Sequence, residues 1–136
     1  MLPSNSTVST VDFSRLMPLV AASAAPDTSA AVEQLDEKLA TATVVEPETM
    51  RPDVVTMNSK VVLSSPAWEA PREYRLVYPR ERRREPGELS VLSALGTKLL
   101  GARTGARFAL STGPSLRFVE VVALTYQPEA AGDWDL

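Results

Sequence analysis

The chain has 136 residues, 44% of them hydrophobic and 23% charged, with a formal net charge of −3. That composition suits a soluble folded protein with room for one core, and its acidic balance argues against nucleic-acid binding by bulk electrostatics, leaving any such contact indirect. There is no cysteine and no histidine, which excludes disulfides, thiol nucleophiles, thiolate metal sites and imidazole bases; no catalytic residue, cofactor or metal is expected.

The first dozen residues are rich in Ser and Thr and read as a loose start or a short strand. Asp12 is placed to cap a helix from Phe13 to about Ala22, with Phe13, Leu16, Met17 and Val20 at helical spacing and Pro18 expected to kink it or delay its start. The stretch Leu16–Ala25 has a faint export-signal look, but it starts behind polar residues and carries Pro18, so it is read as helix. A turn at residues 25–29 leads to a second helix over Ala30–Ala42, with Val32, Leu35 and Leu39 inward and Glu33, Asp36, Glu37 and Lys38 facing away. Two such short helices form a hairpin that buries too little surface alone and must lean on something else.

After Glu46-Pro47 and Arg51-Pro52 the period changes. Val54–Met57 and Lys60–Leu63 read as strands joined by a turn at Asn58-Ser59, and Glu73–Tyr78 alternates as a strand ended by Pro79. A polar loop follows, with Arg80, Arg82, Arg83 and Arg84 among Glu81 and Glu85. Ser93 caps a short helix that ends at Gly101, on which Leu92, Leu95 and Leu99 share a face. Residues 106–111 read as a strand, Thr112-Gly113-Pro114 as a hairpin turn, and Phe118–Tyr126, apolar on both faces, as a central strand. The expected fold is α+β: a helical hairpin over residues 1–48 and a strand-rich domain with one short helix over residues 49–136. No run of about 18 apolar residues exists, so no membrane span is expected and the location is read as cytoplasmic.

Four segments carry a resemblance: V-V-T-M-N-S-K-V at 54–61, L-V-Y-P at 76–79, L-S-V-L-S-A-L-G-T-K-L-L-G at 89–101, and L-T-Y-Q-P-E-A-A-G-D at 124–133. In this order they resemble the Rnk family, the regulators of nucleoside diphosphate kinase, which are relatives of the transcript-cleavage factors GreA and GreB. The resemblance implies an FKBP-like antiparallel sheet in the C-terminal part. It also implies docking at the rim of the RNA polymerase secondary channel with the hairpin pointing inward, and a link to nucleoside diphosphate kinase levels by a route that need not be direct contact.

Gre factors carry acidic residues at the tip of a long coiled coil to help hold a second magnesium ion. Here the helices give an arm of only about 15–20 Å at ~1.5 Å per residue, and the tip, residues 21–29, holds a single acid, Asp27. One carboxylate on a short arm does not support that chemistry, and Asp27 reads first as a helix cap. Direct kinase activity lacks its histidine, and Gly96-Thr97-Lys98 is no phosphate loop.

Two partner surfaces are candidates. Ser93, Ala94, Leu95 and Gly96 match the Gre-type loop that touches the polymerase rim, with Ala94 where the family often has proline; the alternative is a plain helix cap. The arginines, Arg82 and Arg83 above all, could meet an acidic partner or form a solvated loop diluted by glutamates. Trp68 and Trp134 are read as packed rings or exposed anchors. An FKBP-like fold also raises peptidyl-prolyl isomerisation, though the aromatics such a pocket needs are scattered.

Overall fold

A computed structural model of the protein describes residues 6–23, 30–79, 87–112 and 115–133, without side-chain detail at 23 and 110–117. Asp27, Arg80, Arg82, Arg83, Arg84 and Trp134 lie outside the described residues.

The chain opens with β1 (Thr7–Ser9) and α1 (Thr10–Ser23), followed by α2 (Ala30–Thr41) and β2 (Thr43–Val45). Strands β1 and β2 pair in parallel, Thr7 to Thr43, Val8 to Val44 and Ser9 to Val45. One strand precedes the helices and the other follows them, so this two-stranded sheet closes the base of the hairpin. Helix α1 begins earlier than the sequence suggests because Ser9, not Asp12, supplies the cap: its Oγ accepts from the Asp12 N–H at 3.0 Å. Pro18 sits inside the 14-residue helix without ending it. Leu16 and Val20, on either side of it, are buried, and their packing offsets the one hydrogen bond that Pro18 cannot make. Met17, expected on the apolar stripe, is 41% exposed.

The larger sheet holds β3 (Lys60–Ser64), β4 (Arg72–Val77), β5 (Glu88–Ser90), β6 (Arg107–Thr112) and β7 (Ser115–Tyr126), in the order β5-β4-β3-β7-β6. Its pairs are antiparallel except β4 with β5. Strand β5, which the sequence reading missed, is a three-residue edge strand. Helix α3 (Ala94–Leu99) follows β5, and a short α4 (Pro128–Ala131) follows β7. The α+β class is as expected.

Val54–Met57 is not a strand. Val54 makes one isolated bridge with Arg103, and Val55 exchanges bonds with the α3 exit loop, its N–H to Ala102 O at 2.8 Å and its carbonyl from Gly101 N at 2.8 Å. Asn58 then turns the chain with φ of 66°, a conformation asparagine tolerates better than most side chains. The segment is buried from Val54 through Ser59, so its apolar run reflects burial on all sides rather than strand pairing. Strand β7 lies inside the sheet as expected, yet one of its faces is open, with Phe118 53% and Val122 48% exposed.

A single apolar cluster joins the two parts. Leu16, Val20, Leu35 and Leu39 of the hairpin pack with Leu63, Leu76, Leu99 and Val121 of the sheet and α3.

Candidate functional site: the α3 loop and the hairpin base

The Ser93–Gly96 loop is a tightly bonded cap. Ser93 Oγ accepts from the Gly96 N–H at 3.0 Å and donates to Ser90 O at 2.6 Å, while Ser90 Oγ accepts from the Leu92 N–H at 3.1 Å. Thr97 Oγ1 donates back to Val91 O at 2.7 Å. Gly96 is buried, and a Cβ there would lie 2.0 Å from Ser90 O. Its missing side chain therefore serves the close crossing of α3 over the end of β5. The surface this loop offers outward is Ala94, exposed, with half-buried Leu92, Ser93 and Leu95 around it.

The other end of α3 is held by the hairpin. Lys38 of α2 donates from Nζ to Thr97 O at 2.6 Å, Lys98 O at 3.1 Å and Leu100 O at 2.7 Å. These are carbonyls at a helix C-terminus, where a cation is favoured and partners are otherwise missing. Sequence spacing put Lys38 on the outer face with Glu33, Asp36 and Glu37; those three are exposed, but Lys38 bends inward over α3. Burial, and then the like charge of Lys98, push its ammonium down to about 8. A groove of about 1070 Å³ runs beside it, lined by Glu37, Thr41, Lys98, Arg103 and Phe108 among others.

A second polar contact joins α1 to the sheet. Asp12, 2% exposed, accepts from the Met57 N–H at 3.1 Å and from the Tyr78 hydroxyl at 3.2 Å. Burial pushes its carboxyl up to about 6, with Glu129 adding to the rise and the Met57 N–H, the Tyr78 hydroxyl and Arg15 opposing it. Burial, then Asp12, raises the Tyr78 phenol. The expected capping role of Asp12 thus gives way to a tether between the hairpin and the rest of the chain. Nothing in one-dimensional spacing distinguishes a capping aspartate from one that reaches a distant amide.

The family-like tail is structural. Gln127 Nε2 donates to Arg51 O at 2.7 Å and Val54 O at 2.6 Å, and its Oε1 caps α4 through the Ala130 N–H at 3.1 Å. Glu129 reaches back to Thr56, whose Oγ1 donates to its Oε1 at 2.6 Å. Gly132, with φ of 78°, ends α4 in the left-handed region. Of the two tryptophans, Trp68 is half-buried, stacked under the Arg72 guanidinium at 4.4 Å and tilted against Tyr74 at 6.5 Å. Arg72 is therefore engaged with its own fold. Among the described residues, no three His, Cys, Asp or Glu side chains gather as a metal site, and no helix is long and apolar enough to cross a membrane.

Comparison with known proteins follows the same lines. Residues 49–126 match the family model described as transcription elongation factor, GreA/GreB, C-term. The Escherichia coli K12 regulator of nucleoside diphosphate kinase is 39% identical over 104 residues, covering 75% of this chain and 76% of that protein. Transcription elongation factor GreA of Thermodesulfovibrio yellowstonii is 25% identical over 96 residues, covering 71% of this chain but 61% of that longer protein. The structure of a GreA/GreB factor from Nitrosomonas europaea superposes with a TM-score of 0.77 at 29% identity, covering 91% of this chain and 100% of that one. The chain belongs to the GreA/GreB transcription elongation factor family and, within it, to the Rnk regulators of nucleoside diphosphate kinase.

Proposed function

We propose that this protein is a cytoplasmic regulator that docks on RNA polymerase at the rim of the secondary channel, presents its hairpin to the channel, and does not cleave RNA. Residues 49–136 act as the docking part and residues 1–48 as the probe. The observation that carries the reading is the length of the arm on a Gre-type body: helices of 14 and 12 residues, about 21 and 18 Å at ~1.5 Å per residue. A helical hairpin of that reach can occupy or sense a pore, but the sequence joining its helices, residues 24–29, contains one acid, Asp27, and two carboxylates are what a divalent cation needs there.

Docking is assigned to the loop Ser93, Ala94, Leu95 and Gly96, because its geometry is fixed from both ends and Ala94 and Leu95 form its outward edge. Arg82 and Arg83 supply a second, electrostatic contact. Control of nucleoside diphosphate kinase, named for the Escherichia coli relative, is exerted through transcription. A pull-down with purified polymerase tests the assignment: Leu95→Asp loses binding while the fold, read by circular dichroism, is kept. Unchanged binding by that variant removes the loop from the interface. In a stalled elongation complex the protein leaves the transcript intact; faster cleavage that Asp27→Ala abolishes would overturn the reading. Co-purification of the kinase with this chain in the absence of polymerase would replace the indirect route with direct contact.

A further inference from the structure

We propose that Asp12 and Lys38 are positioning residues: two oppositely charged tethers, one on each helix, Asp12 buried and Lys38 half-buried, that set the angle at which the hairpin leaves the sheet and so fix its placement relative to the Ser93–Gly96 loop. The geometry is specific. Asp12 on α1 reaches the Met57 N–H before β3 and the Tyr78 hydroxyl just after β4. Lys38 on α2 reaches three carbonyls at the C-terminal end of α3, the helix whose N-terminal end carries the loop. The rest of the described contact between hairpin and sheet is dominated by apolar packing, which is non-directional and tolerates sliding. A backbone N–H that donates to a short carboxylate, and an ammonium that donates to fixed backbone carbonyls, supply the missing direction.

The tethers also give the attachment a charge dependence that apolar packing lacks. Asp12 is faced by Tyr78, by Arg15 on its own helix, by Glu129 on α4 and by the Met57 N–H. Lys38 is faced by Lys98 on α3, with Glu37 and Arg103 lining the same groove. The docked hairpin holds the Asp12 proton more tightly than an opened, solvated one. Docking is therefore strongest in acid and weakens as pH rises through about 6. The docked state holds the Lys38 proton less tightly, so docking strengthens again as pH climbs above about 8. The attachment is weakest between those values, where both tethers are charged and partly or fully withdrawn from water. How this placement bears on polymerase rests on the docking function proposed above; the tethers themselves do not.

Amide hydrogen exchange on the full chain, with each rate referred to its intrinsic value at that pH, tests the proposal. Protection of α1 and α2 should lie below that of β3 and β7 at each pH, and should fall between pH 4 and pH 7 by up to roughly a hundredfold for a carboxyl moved from 3.8 to about 6. Asp12→Asn, whose amide can accept from Met57 and donate to Tyr78, should flatten this acid limb. Lys38→Met should flatten the alkaline one. If Asp12→Asn does not fold, Tyr78→Phe serves instead: it removes one donor to the carboxylate and should move the acid midpoint upward. Equal protection of helices and sheet at every pH, or a wild-type profile in Asp12→Asn or an unmoved midpoint in Tyr78→Phe, overturns the proposal. Failure of the wild-type chain to bind polymerase would sink the docking function and leave this result standing.

Discussion

The hairpin and the five-stranded sheet share one core but are secured by different forces. Strands β3, β4, β6 and β7 are joined edge to edge by backbone ladders, whose strength does not depend on any one side chain. The hairpin is closed at its base by three residue pairs of β1 and β2. Apolar side chains, buried Asp12 and half-buried Lys38 hold it to the sheet and to the end of α3. The sheet is therefore the frame, and the hairpin is the part whose position single substitutions and pH can change.

Leu35→Ala should have the largest effect on how hairpin and sheet hold together. Leu35 is fully buried where α2 meets the common core, and its truncation should cost about 2–5 kcal/mol, measured by urea unfolding. Equal protection of α2 and β7 in the wild-type chain and in this variant would mean that hairpin and sheet unfold as one unit. Next comes pH. The raised Asp12 carboxyl makes the folded state bind a proton that the unfolded chain releases between 3.8 and about 6. Stability should fall across that window by about 3 kcal/mol, at ~1.4 kcal/mol per pKa unit, and stay lost above it. Denaturant midpoints at pH 4 and pH 7, for wild type and Asp12→Asn, check both the sign and the residue.

Gly96→Ala tests the frame side. A methyl group 2.0 Å from Ser90 O must push α3 off β5, for a cost of about 1–3 kcal/mol, visible as a lower melting temperature. Ser93→Ala is the mildest change: it removes the cap on Gly96 and should cost about 1 kcal/mol, read as a small drop in melting temperature.

Much of this architecture was legible in the sequence, because period and punctuation report local structure directly. The Val32, Leu35 and Leu39 stripe, the alternation before Pro79, the Ser93 cap and the β-forming run to Tyr126 each mark their element. The four segments resembling the Rnk family were equally plain. What escaped is what depends on residues far apart in the chain. Val54–Met57 has strand-like composition, but its partner is a loop some fifty residues on, so its burial and not its pairing explains the valines. Strand β5 is too short to show a period. Asp12 and Lys38 look like a cap and a solvated lysine because those are the local options; their partners lie 45 to 66 positions away.

The docking function has one direct test. The chain contains no cysteine, so Ala94→Cys provides a single attachment point for a photoactivated crosslinker on the exposed edge of the α3 loop, and Val122→Cys provides one on the open sheet face. Mixed with purified RNA polymerase, the Ala94 probe should crosslink to the polymerase in high yield and the Val122 probe should not. Equal crosslinking from both positions, or none from Ala94 with the fold intact, would contradict docking through this loop.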